Sequence, residues 1–476
     1  MRINMEKKNT WETYSSKQLK EMEKINAQYR DFLDNGKTER ECIDTIVNTI
    51  EKSGYRELES LIKEGAALKT GDKVYSVWMN KSIAMFQIGR KPMTDGMNIL
   101  GAHIDSPRLD VKQNPLYEDG GFAYLDTHYY GGVKKYQWVT IPLAIHGVIV
   151  KKDGTCVEIN IGENEDDPVF FVSDLLIHLA QEQLEKKAAK VIEGEALDII
   201  VGNKPLLINK KDKKKEEKEA GKEAVKAGVL DILKENYDIC EEDFVSAELE
   251  IVPAGKAREA GFDRSMTLAY GQDDRVCAYT SMQAMLDSDV TDRTMCCILV
   301  DKEEIGSVGA TGMQSHFFEN AVAEVMNLAG EYSELNVRRC LAHSCMLSSD
   351  VSSAFDPTYA SSFDKKNVAY LGGGMVINKF TGARGKSGSN DANAEYLAHL
   401  RHIFDKAEVN FQTAELGKVD LGGGGTIAYI LALYGMNVID SGVAVLNMHA
   451  PWEATSKADV YETYRGYKAF VEGASL

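Results

Sequence analysis

The sequence predicts an α/β fold, in which a three-layer α/β/α sandwich is interrupted by an inserted β-rich domain. Apolar runs of strand length alternate with amphipathic segments in the C-terminal half, a pattern typical of helices packed around a central sheet. The middle of the chain instead carries mostly strand-like runs. At 476 residues the chain is also long enough for two domains. We therefore predict a main domain formed by residues 1–110 and 263–476, and an inserted domain formed by residues 111–262.

The elements of the main domain follow from these patterns in order. A hairpin is expected over Lys73–Ile88, because its two runs meet at the turn residues Asn80 and Lys81. The other predicted elements are strand Met97–Leu100, helix Val276–Leu286, strand Thr294–Val300, helix Phe317–Leu328, strand Arg339–Leu347, helices Asn393–Phe404 and Thr426–Leu433, strand Val443–Met448 and helix Ala458–Glu472.

The inserted domain shows a different succession of patterns. Its predicted elements are strand Ile141–Val150, amphipathic helix Phe170–Lys187, strand Leu197–Val201, a helix around Glu223–Leu233 and strand Ser246–Val252. A lysine-rich run, Lys210–Lys218, precedes the second helix, but acidic residues interrupt it. We interpret that run as a surface loop and not as a nucleic-acid-binding patch.

Composition excludes several functional classes. The net charge of −18 argues against nucleic acid as a partner, since phosphate-binding surfaces concentrate Lys and Arg. The sequence has no apolar run of membrane-spanning length, and its polar N-terminus does not resemble a signal peptide. The 8 cysteines lack Cys-x-x-Cys spacing, which indicates reduced thiols. These features predict a cytoplasmic protein without a membrane partner.

Chemistry-bearing side chains follow two of the predicted strands. His103 and Asp105 come after Met97–Leu100, and the pair Glu303 and Glu304 comes after Thr294–Val300. In open α/β sheets, active sites collect beyond the carboxyl ends of the strands. A carboxylate two residues from a histidine can orient a metal-bound imidazole. The alternative interpretations are a structural His-x-Asp and a solvated acidic turn.

Three further segments carry candidate metal ligands. Asp273 and Asp274 open the helix ending at Leu286, Asp350 follows an apolar run, and His449 ends the last predicted strand. Helix capping is the alternative for one of the two adjacent aspartates. Imidazole and carboxylate ligands without thiolates favour zinc, with manganese and cobalt as the other candidates.

In this order along the chain, these segments resemble the aspartyl aminopeptidase family of dinuclear zinc exopeptidases, and its bacterial branch in particular. The similarity extends from about Ala67 to the C-terminus. The motifs that carry it are Gly101-Ala102-His103-Ile104-Asp105-Ser106-Pro107, Gln272-Asp273-Asp274, Asp301-Lys302-Glu303-Glu304-Ile305-Gly306-Ser307, Ser349-Asp350 and Met448-His449.

The resemblance implies two divalent metal ions in each subunit, most simply Zn²⁺. By position, the implied ligands are His103, Asp273 and Asp350 for one ion, and Asp273, Glu304 and His449 for the other. Asp273 would bridge the two ions. The family more often has Leu-Asp-Asn where this chain has Gln-Asp-Asp, so Asp274 is the alternative bridge.

The resemblance also implies catalytic roles for three side chains. Glu303 would be the general base that accepts the proton of the attacking water, and Asp105 would orient His103. His146 matches a family histidine that reaches from the inserted domain into the active site of a neighbouring subunit, where it would stabilise the oxyanion.

The implied activity is metal-dependent removal of single N-terminal residues from peptides. An N-acyl amino acid deacylase, or another two-metal amide hydrolase on the same scaffold, is the alternative. A non-catalytic oligomeric scaffold is a third reading. In the family the inserted domain builds a dimer, and dimers assemble further, so we expect a homodimer at least and a dodecamer as the full assembly.

Specificity depends on a segment where this chain departs from the family. The family has a lysine after a short apolar run, where this chain has Asn378, and Lys379 follows one position later. A shift of one residue on a strand turns a side chain to the opposite face, so Arg384 and Lys386 are alternative cations. The amides of the glycine-rich run around Gly424, which precedes a predicted helix, are candidates to contact a substrate carboxylate or carbonyl. The alternative interpretation of the run is a simple flexible turn.

Overall fold

The computed structural model describes residues 9–206, 223–382 and 384–475, and the chain forms two compact units. The first unit contains Met1–Ser106, Ala257–Met448 and Trp452–Leu476, and the second contains Pro107–Lys256 and His449–Pro451. The predicted boundaries, after residues 110 and 262, lie a few residues later on the chain. The assignment of the inserted segment to dimerisation stays a prediction.

The first unit contains two sheets, whose strands are numbered here along the whole chain. They are β1 Arg56–Glu57, β2 Lys73–Trp78, β3 Ser82–Gln87, β4 Met97–His103, β11 Arg258–Ala260, β12 Met266–Ala269, β13 Thr294–Val300, β14 Cys345–Ser349, β15 Ser352–Ser353, β16 Met375–Asn378, β17 Phe411–Thr413, β18 Asn437–Gly442, β19 Ala444–Leu446 and β20 Glu453–Ser456.

The larger sheet has nine strands in the order β1-β2-β3-β13-β4-β14-β18-β16-β17. Its four central strands β13, β4, β14 and β18 run parallel. The smaller sheet has the order β11-β12-β20-β19-β15. Every residue of β4, β13 and β14 is buried, as expected for parallel strands covered on both faces.

The helices of the first unit cover both faces of the nine-stranded sheet. They are α1 Ser16–Asn35, α2 Glu39–Glu51, α3 Leu58–Glu64, α7 Gln272–Leu286, α8 Phe317–Leu328, α9 Glu334–His343, α10 Ala394–Lys406, α11 Ala428–Ala432 and α12 Lys457–Gly473. Along β13, Cys297 belongs to a buried cluster that includes residues of α1, α2, α7, α10 and α12, whereas its neighbour Ile298 belongs to a second cluster that includes residues of α3, α8, α9 and α11. The α/β fold class is therefore confirmed, and this unit has three layers.

The second unit is built on one antiparallel sheet of order β8-β7-β10-β5-β6-β9. Its strands are β5 Arg108–Asp119, β6 Phe122–Tyr130, β7 Leu143–Val150, β8 Cys156–Ile161, β9 Ile199–Gly202 and β10 Ala247–Pro253. Its helices are α4 Gln181–Leu184, α5 Ala188–Val191 and α6 Ala224–Tyr237. The lysine-rich run predicted as a surface loop lies outside the described residues.

One strand of the main domain was predicted wrongly. The segment predicted as strand Arg339–Leu347 is the end of α9, followed after Ser344 by the shorter β14. Ser333 caps α9 by accepting a hydrogen bond from the N–H of Asn336, and Val337, Cys340 and Leu341 bury one helical face. The apolar content of this segment predicted a single strand. The buried residues Val337, Cys340 and Leu341 are instead spaced three and four positions apart, as on one face of a helix.

The predicted helix Phe170–Lys187 is also wrong. Phe170 pairs with Leu143 and Phe171 pairs with Ile200 in isolated β-bridges, so the segment begins in extended form. Only a 3-10 turn, Ile177–Leu179, and the one-turn helix α4 follow. Because Leu176 and Ile177 are 54% and 68% exposed, the apolar residues of this segment do not form a buried helical face within the described chain.

No helix in the described part of the chain is long and apolar enough to cross a membrane. All eight cysteines lie in this part, and their thiols are free.

A buried carboxyl group in the first turn of α12 makes the stability of the fold depend on pH. Asp459 is fully buried and accepts hydrogen bonds from the N–H groups of Gly372 (2.8 Å) and Gly374 (2.7 Å). Burial raises the pKa of Asp459 to about 8, against the opposing effect of the two hydrogen bonds. An unfolded aspartate has a pKa of about 3.9. Between these values the folded state keeps a proton that the unfolded state releases, so this group lowers stability as pH rises.

We expect Asp459→Asn to flatten the pH dependence of the free energy of unfolding between about pH 4 and pH 8. The difference in slope between wild type and variant should approach about 1.4 kcal/mol per pH unit. Urea unfolding followed by circular dichroism at several pH values measures it, with the exposed Asp405→Asn of α10 as control. Parallel curves for wild type and Asp459→Asn would contradict the assignment.

Candidate metal centre

Parallel strands bring the predicted site residues to one edge of the nine-stranded sheet. In the register of the sheet, Val300 of β13 lies opposite His103 of β4, and Ser348 of β14 lies opposite Gly101 of β4. The three strands therefore end at the same edge, where active sites of open α/β sheets lie. Glu303 and Asp350 follow directly after β13 and β14.

His103 is the centre of the candidate site. Its ring is 2% exposed, and its Nδ1 lies 3.0 Å from the carbonyl oxygen of Asp105. Its Nε2 lies 3.3 Å from Oδ1 of Asp273 and 4.0 Å from Oε2 of Glu303. Burial alone would lower the pKa of His103, but the neighbouring carboxylates of Asp105 and Asp273 raise it well above the usual value. The Nε2 side of the ring thus faces concentrated negative charge.

Asp105 holds the turn that carries the glutamate pair. Its carboxylate is fully buried; Oδ1 accepts the N–H of Glu303 and Oδ2 accepts the N–H of Glu304, both at 3.2 Å. Oδ1 also lies 3.3 Å from Nδ1 of His103. The turn is a single 3-10 turn, Glu303–Ile305, preceded by Lys302 at φ 68°. One carboxylate therefore positions both the histidine and the two glutamates.

The aspartate pair lies where the chain enters α7. Asp273 and Asp274 have non-helical backbone angles, and the peptide bond between them is cis. The N–H of Asp273 donates to Oε2 of Glu453 (3.0 Å), and its carbonyl accepts the hydroxyl of Ser106 (2.7 Å). These contacts fix both sides of the Asp273 backbone next to His103.

The described residues form three overlapping groups of potential metal ligands, each with its ligand atoms within 4.8 Å of one another. The groups are His103, Asp273 and Glu304; His103, Glu303 and Asp350; and Asp273, Asp274 and Asp350. Asp273 belongs to two of them and Asp274 to one, so both remain candidates for a bridging ligand. Imidazole and carboxylate donors at this spacing fit zinc or a similar divalent ion.

The electrostatics of the site also fit bound cations. Burial raises the pKa of Asp350 well above the usual value, and the charges of Asp273, Glu303 and Asp274 raise it further. Burial likewise raises the pKa of Asp274 well above its usual value. So much negative charge in a shielded space is costly unless positive charge compensates it. Divalent cations at this edge of the sheet would supply that compensation.

Sequence reasoning missed three residues that support the site. Glu453 and Ser106 hold the Asp273 backbone, and Arg275 is 1% exposed. The guanidinium of Arg275 donates to the carbonyl of Ile104 (3.2 Å) and to that of Lys37 (2.8 Å). Ser106 lies within one of the motifs already singled out and Arg275 directly follows another, but nothing in the sequence distinguishes Glu453 from other glutamates.

Two predicted site residues lie in the second unit. His449 has a φ of 65°, and its Nδ1 lies 2.9 Å from the carbonyl oxygen of Gly132. His146 of β7 is 1% exposed, and its Nε2 lies 3.1 Å from Oε1 of Glu163. Neither histidine belongs to the ligand groups found among the described residues, and their predicted roles stay predictions.

The residues predicted to contact the substrate form hydrogen bonds or ion pairs with other residues of the first unit. Asn378 is 3% exposed and donates from Nδ2 to the carbonyl of Ala414 (2.9 Å). Lys379 forms an ion pair with Asp391, which also binds Lys386. The N–H of Gly424 donates to the carbonyl of Thr381 (3.0 Å). The predicted helix Thr426–Leu433 is only the five-residue α11, so the glycine run does not lead directly into a long helix.

Comparisons with known proteins show which family this chain resembles. The family model described as "Aminopeptidase I zinc metalloprotease (M18)" matches residues 32–471. A probable M18 family aminopeptidase 1 of Clostridium acetobutylicum is 63% identical over 466 residues, which cover 98% of each chain.

Two solved structures share the fold. The crystal structure of an M18 aminopeptidase from Thermotoga maritima superimposes with a TM-score of 0.92 at 44% identity, covering 99% of this chain and 100% of that one. The dodecamer structure of mApe1 from Saccharomyces cerevisiae has a TM-score of 0.74 at 19% identity, covering 94% of this chain and 96% of that one. The second likeness shows the fold alone.

Proposed function

This chain belongs to the M18 family of zinc aminopeptidases, and on that premise we propose which of its residues bind metal and which catalyse. Members of the family hydrolyse peptide bonds, so the chain is a metallo-aminopeptidase that removes single residues from peptide N-termini. The alternative, a deacylase of N-acyl amino acids, is not favoured by the relatives.

One observation carries the proposal: imidazole and carboxylate side chains from three strand ends and the start of α7 form three overlapping groups, each with its ligand atoms within 4.8 Å of one another. We assign His103, Asp273 and Asp350 to one zinc ion, and Asp273, Glu304 and His449 to a second. In this assignment Asp273 would hold both ions, and Asp274 is the alternative for that role. Manganese and cobalt are the alternative metals.

Divalent metal ions bound at such a site make water more acidic and polarise the scissile carbonyl group. Glu303 acts as the general base: its carboxylate accepts a proton from the attacking water and returns it to the leaving amine. Asp105 is a positioning residue, because its carboxylate fixes the backbone of Glu303 and lies beside Nδ1 of His103. Asp105 therefore fixes the position of Glu303 relative to His103.

The same proposal covers self-association. His146 would reach the active site of a neighbouring subunit and stabilise the oxyanion there, an effect worth about 10²–10³-fold in rate. A second copy of the chain is then part of the complete enzyme. The yeast relative assembles as a dodecamer, and we propose a homodimer that assembles further in the same way. We propose the cytoplasm as its location.

Peptides are the substrates. Asn378 stands where the family has a lysine, the cation expected for a preference for acidic N-terminal residues. Because Lys379 is paired with Asp391, its charge is partly compensated. Asn378, Lys379 and Gly424 remain proposed contacts around the N-terminal residue of the substrate. Asn378 would favour neutral or amide side chains over aspartate.

We expect a chelator to abolish hydrolysis of aminoacyl-p-nitroanilides, and added Zn²⁺, Mn²⁺ or Co²⁺ to restore it. The physical reason is that, without a bound divalent ion, the pKa of the attacking water stays too high for Glu303 to accept its proton. The measurement is the rate of p-nitroaniline release from Asp, Glu, Asn, Leu, Met and Lys derivatives.

Matched N-acetylated derivatives serve as the control in this experiment. Cleavage restricted to the free-amine substrates supports the aminopeptidase. Release of acetate from the acetylated substrates, without p-nitroaniline release from the free-amine substrates, would instead favour the deacylase, because that reaction breaks the bond between the acetyl group and the α-nitrogen.

A further inference from the structure

The backbone of the proposed zinc ligand Asp350 is held by the neighbouring strand. Asp350 follows directly after β14, and β18 pairs with β14 in parallel. The N–H of Asp350 donates to the carbonyl of Ser441 in β18 (3.0 Å). The carbonyl of Asp350 lies against Gly442, the last residue of β18. The position of Asp350 therefore depends on these two residues of β18.

Gly442 has no room for a side chain. It is buried, and a Cβ atom at this position would lie 2.0 Å from the carbonyl oxygen of Asp350, 2.7 Å from its carbonyl carbon and 3.0 Å from Sγ of Cys277. Real Cβ atoms essentially never lie closer than 3.0 Å to another heavy atom. The φ angle of Gly442 is not in the left-handed region. Close approach, and not an unusual backbone conformation, therefore requires glycine here.

The same contact connects Asp350 with the helix that carries the aspartate pair. The thiol on the other side of Gly442 belongs to Cys277, which is buried on α7. Asp273 and Asp274 open that helix, four and three residues before Cys277. Both of them form a ligand group with Asp350, in which the ligand atoms lie within 4.8 Å of one another. Gly442 thus lies between two segments that contribute to one group of metal ligands.

Helix α12 also binds this part of β18. The hydroxyl of Tyr467 donates to the carbonyl of Ser441 (3.2 Å), the same carbonyl that accepts the N–H of Asp350. The hydroxyl of Thr463 donates to the carbonyl of Gly442 (3.4 Å). Both hydroxyl-bearing side chains are fully buried, so breaking these bonds would leave polar groups without partners. The strain of a side chain at position 442 would therefore fall on Asp350.

We propose that Gly442 is a positioning residue of the metal centre, because its missing side chain lets Asp350 lie close enough to Asp273 for both to bind metal. This role rests on the proposed function, which assigns the two aspartates to one zinc ion. A methyl group at position 442 would force the contact with the Asp350 carbonyl oxygen from 2.0 Å to at least 3.0 Å. Metal–ligand distances hold within about 0.2 Å, so such a displacement would disturb coordination.

Gly442→Ala should lower the zinc affinity of the full-length enzyme at least as much as the loss of a residue that supports a ligand, about 10–100-fold. Zinc titration with a competing chelator measures this affinity. The visible absorption spectrum of the Co²⁺-loaded enzyme should also change, because it reports the ligand geometry around the metal. Neither measurement depends on hydrolysis of a substrate. Circular dichroism shows whether the variant is folded at the temperature of the titration.

Gly89→Ala is the matched control. Gly89 is buried, and a Cβ atom there would lie 2.5 Å from the carbonyl oxygen of Asp292 and 2.6 Å from the backbone nitrogen of Thr294. Thr294 begins β13, which ends at the metal centre with Val300, about 20 Å away. Gly89→Ala should therefore destabilise the fold but keep the wild-type zinc affinity and Co²⁺ spectrum. Wild-type affinity and spectrum in Gly442→Ala, or equal zinc loss in both variants, would overturn the proposal.

Tyr467→Phe tests the same contact if Gly442→Ala does not fold. The change removes the hydroxyl that binds the Ser441 carbonyl but keeps the ring, and zinc affinity should fall about two- to tenfold. Tyr279→Phe is its control, because the buried Tyr279 also donates to a main-chain carbonyl, that of Ile25, at 3.2 Å. Equal zinc affinities of the two tyrosine variants would then reject the proposal.

The wild-type titration separates this proposal from the proposed function. If the wild-type enzyme binds neither Zn²⁺ nor Mn²⁺ nor Co²⁺, the metal assignment fails and the role of Gly442 fails with it. If the wild type binds zinc and the folded Gly442→Ala binds it equally well, only the role of Gly442 fails. The assignment of Asp350 and Asp273 as ligands would then stand.

Discussion

Replacing Glu303 with glutamine should lower kcat about 10²–10⁴-fold while the metal content of the protein stays unchanged. An amide cannot accept the proton of the attacking water, but it keeps the size and shape of the side chain. The turn should also survive, because Asp105 binds the N–H groups of Glu303 and Glu304 and not their side chains. The measurements are steady-state kinetics and metal analysis of the purified variant.

The neighbouring Glu304→Gln is the matched control. Both glutamates belong to ligand groups, Glu304 with His103 and Asp273 and Glu303 with His103 and Asp350. Because our assignment makes Glu304 the metal ligand and Glu303 the base, Glu304→Gln should lose metal as well as activity. Two results would contradict the assignment: an active Glu303→Gln enzyme, or loss of metal in Glu303→Gln with retention in Glu304→Gln. The second result would exchange the roles of the two glutamates.

Replacing Asp273 with asparagine should have the largest effect on metal binding. Asp273 contributes to two ligand groups, and its side chain is 4% exposed. Loss of its charge removes one carboxylate from each proposed ion. We therefore expect metal affinity to fall by more than the 10–100-fold typical of residues that only support a ligand. Zinc titration with a competing chelator measures the affinity.

Asp274→Asn is the comparison that decides which aspartate bridges. Asp274 is fully buried and belongs to the group of Asp273 and Asp350. We expect the weaker loss of zinc from Asp274→Asn. A larger loss in this variant than in Asp273→Asn would assign the bridge to Asp274. Circular dichroism of both variants checks that the fold is retained.

Elements with a strong local pattern were predictable from the sequence. The hairpin β2–β3 turns at Met79 and Asn80, both with positive φ, as the turn-forming asparagine indicated. Helix Phe317–Leu328 has the predicted ends, because its buried residues recur every three or four positions. Of the four central strands, β4 and β13 were visible as short apolar runs.

The wrong predictions arose where apolar content and its spacing pointed to different structures. Cys340 and Leu341 of α9 were predicted to belong to the same strand as β14, although Ser333 caps the start of a helix. In the segment after Phe170, the exposed apolar residues looked like one face of a helix. A single sequence does not show whether such a face has a partner to pack against.

The candidate site was predictable in its residue types but not in its internal contacts. Strand ends indicated His103, Glu303 and Asp350, because parallel strands finish at one edge. The double contact of Asp105 with the glutamate turn depends on residues almost 200 positions apart. The pairing of Lys379 with Asp391 depends likewise on the course of a loop. Such contacts leave no local pattern in the sequence.

The shared carboxylate of Asp105 has a consequence for engineering this enzyme. A designer who altered the ligand geometry at His103 to favour another metal would have to move Asp105, and the backbone of Glu303 would move with it. A change at Asp105 would therefore alter metal preference and the position of Glu303 together. Directed evolution of metal selectivity would instead vary Asp350 or Asp273, which belong to the ligand groups, and leave Asp105 to hold the N–H groups of Glu303 and Glu304.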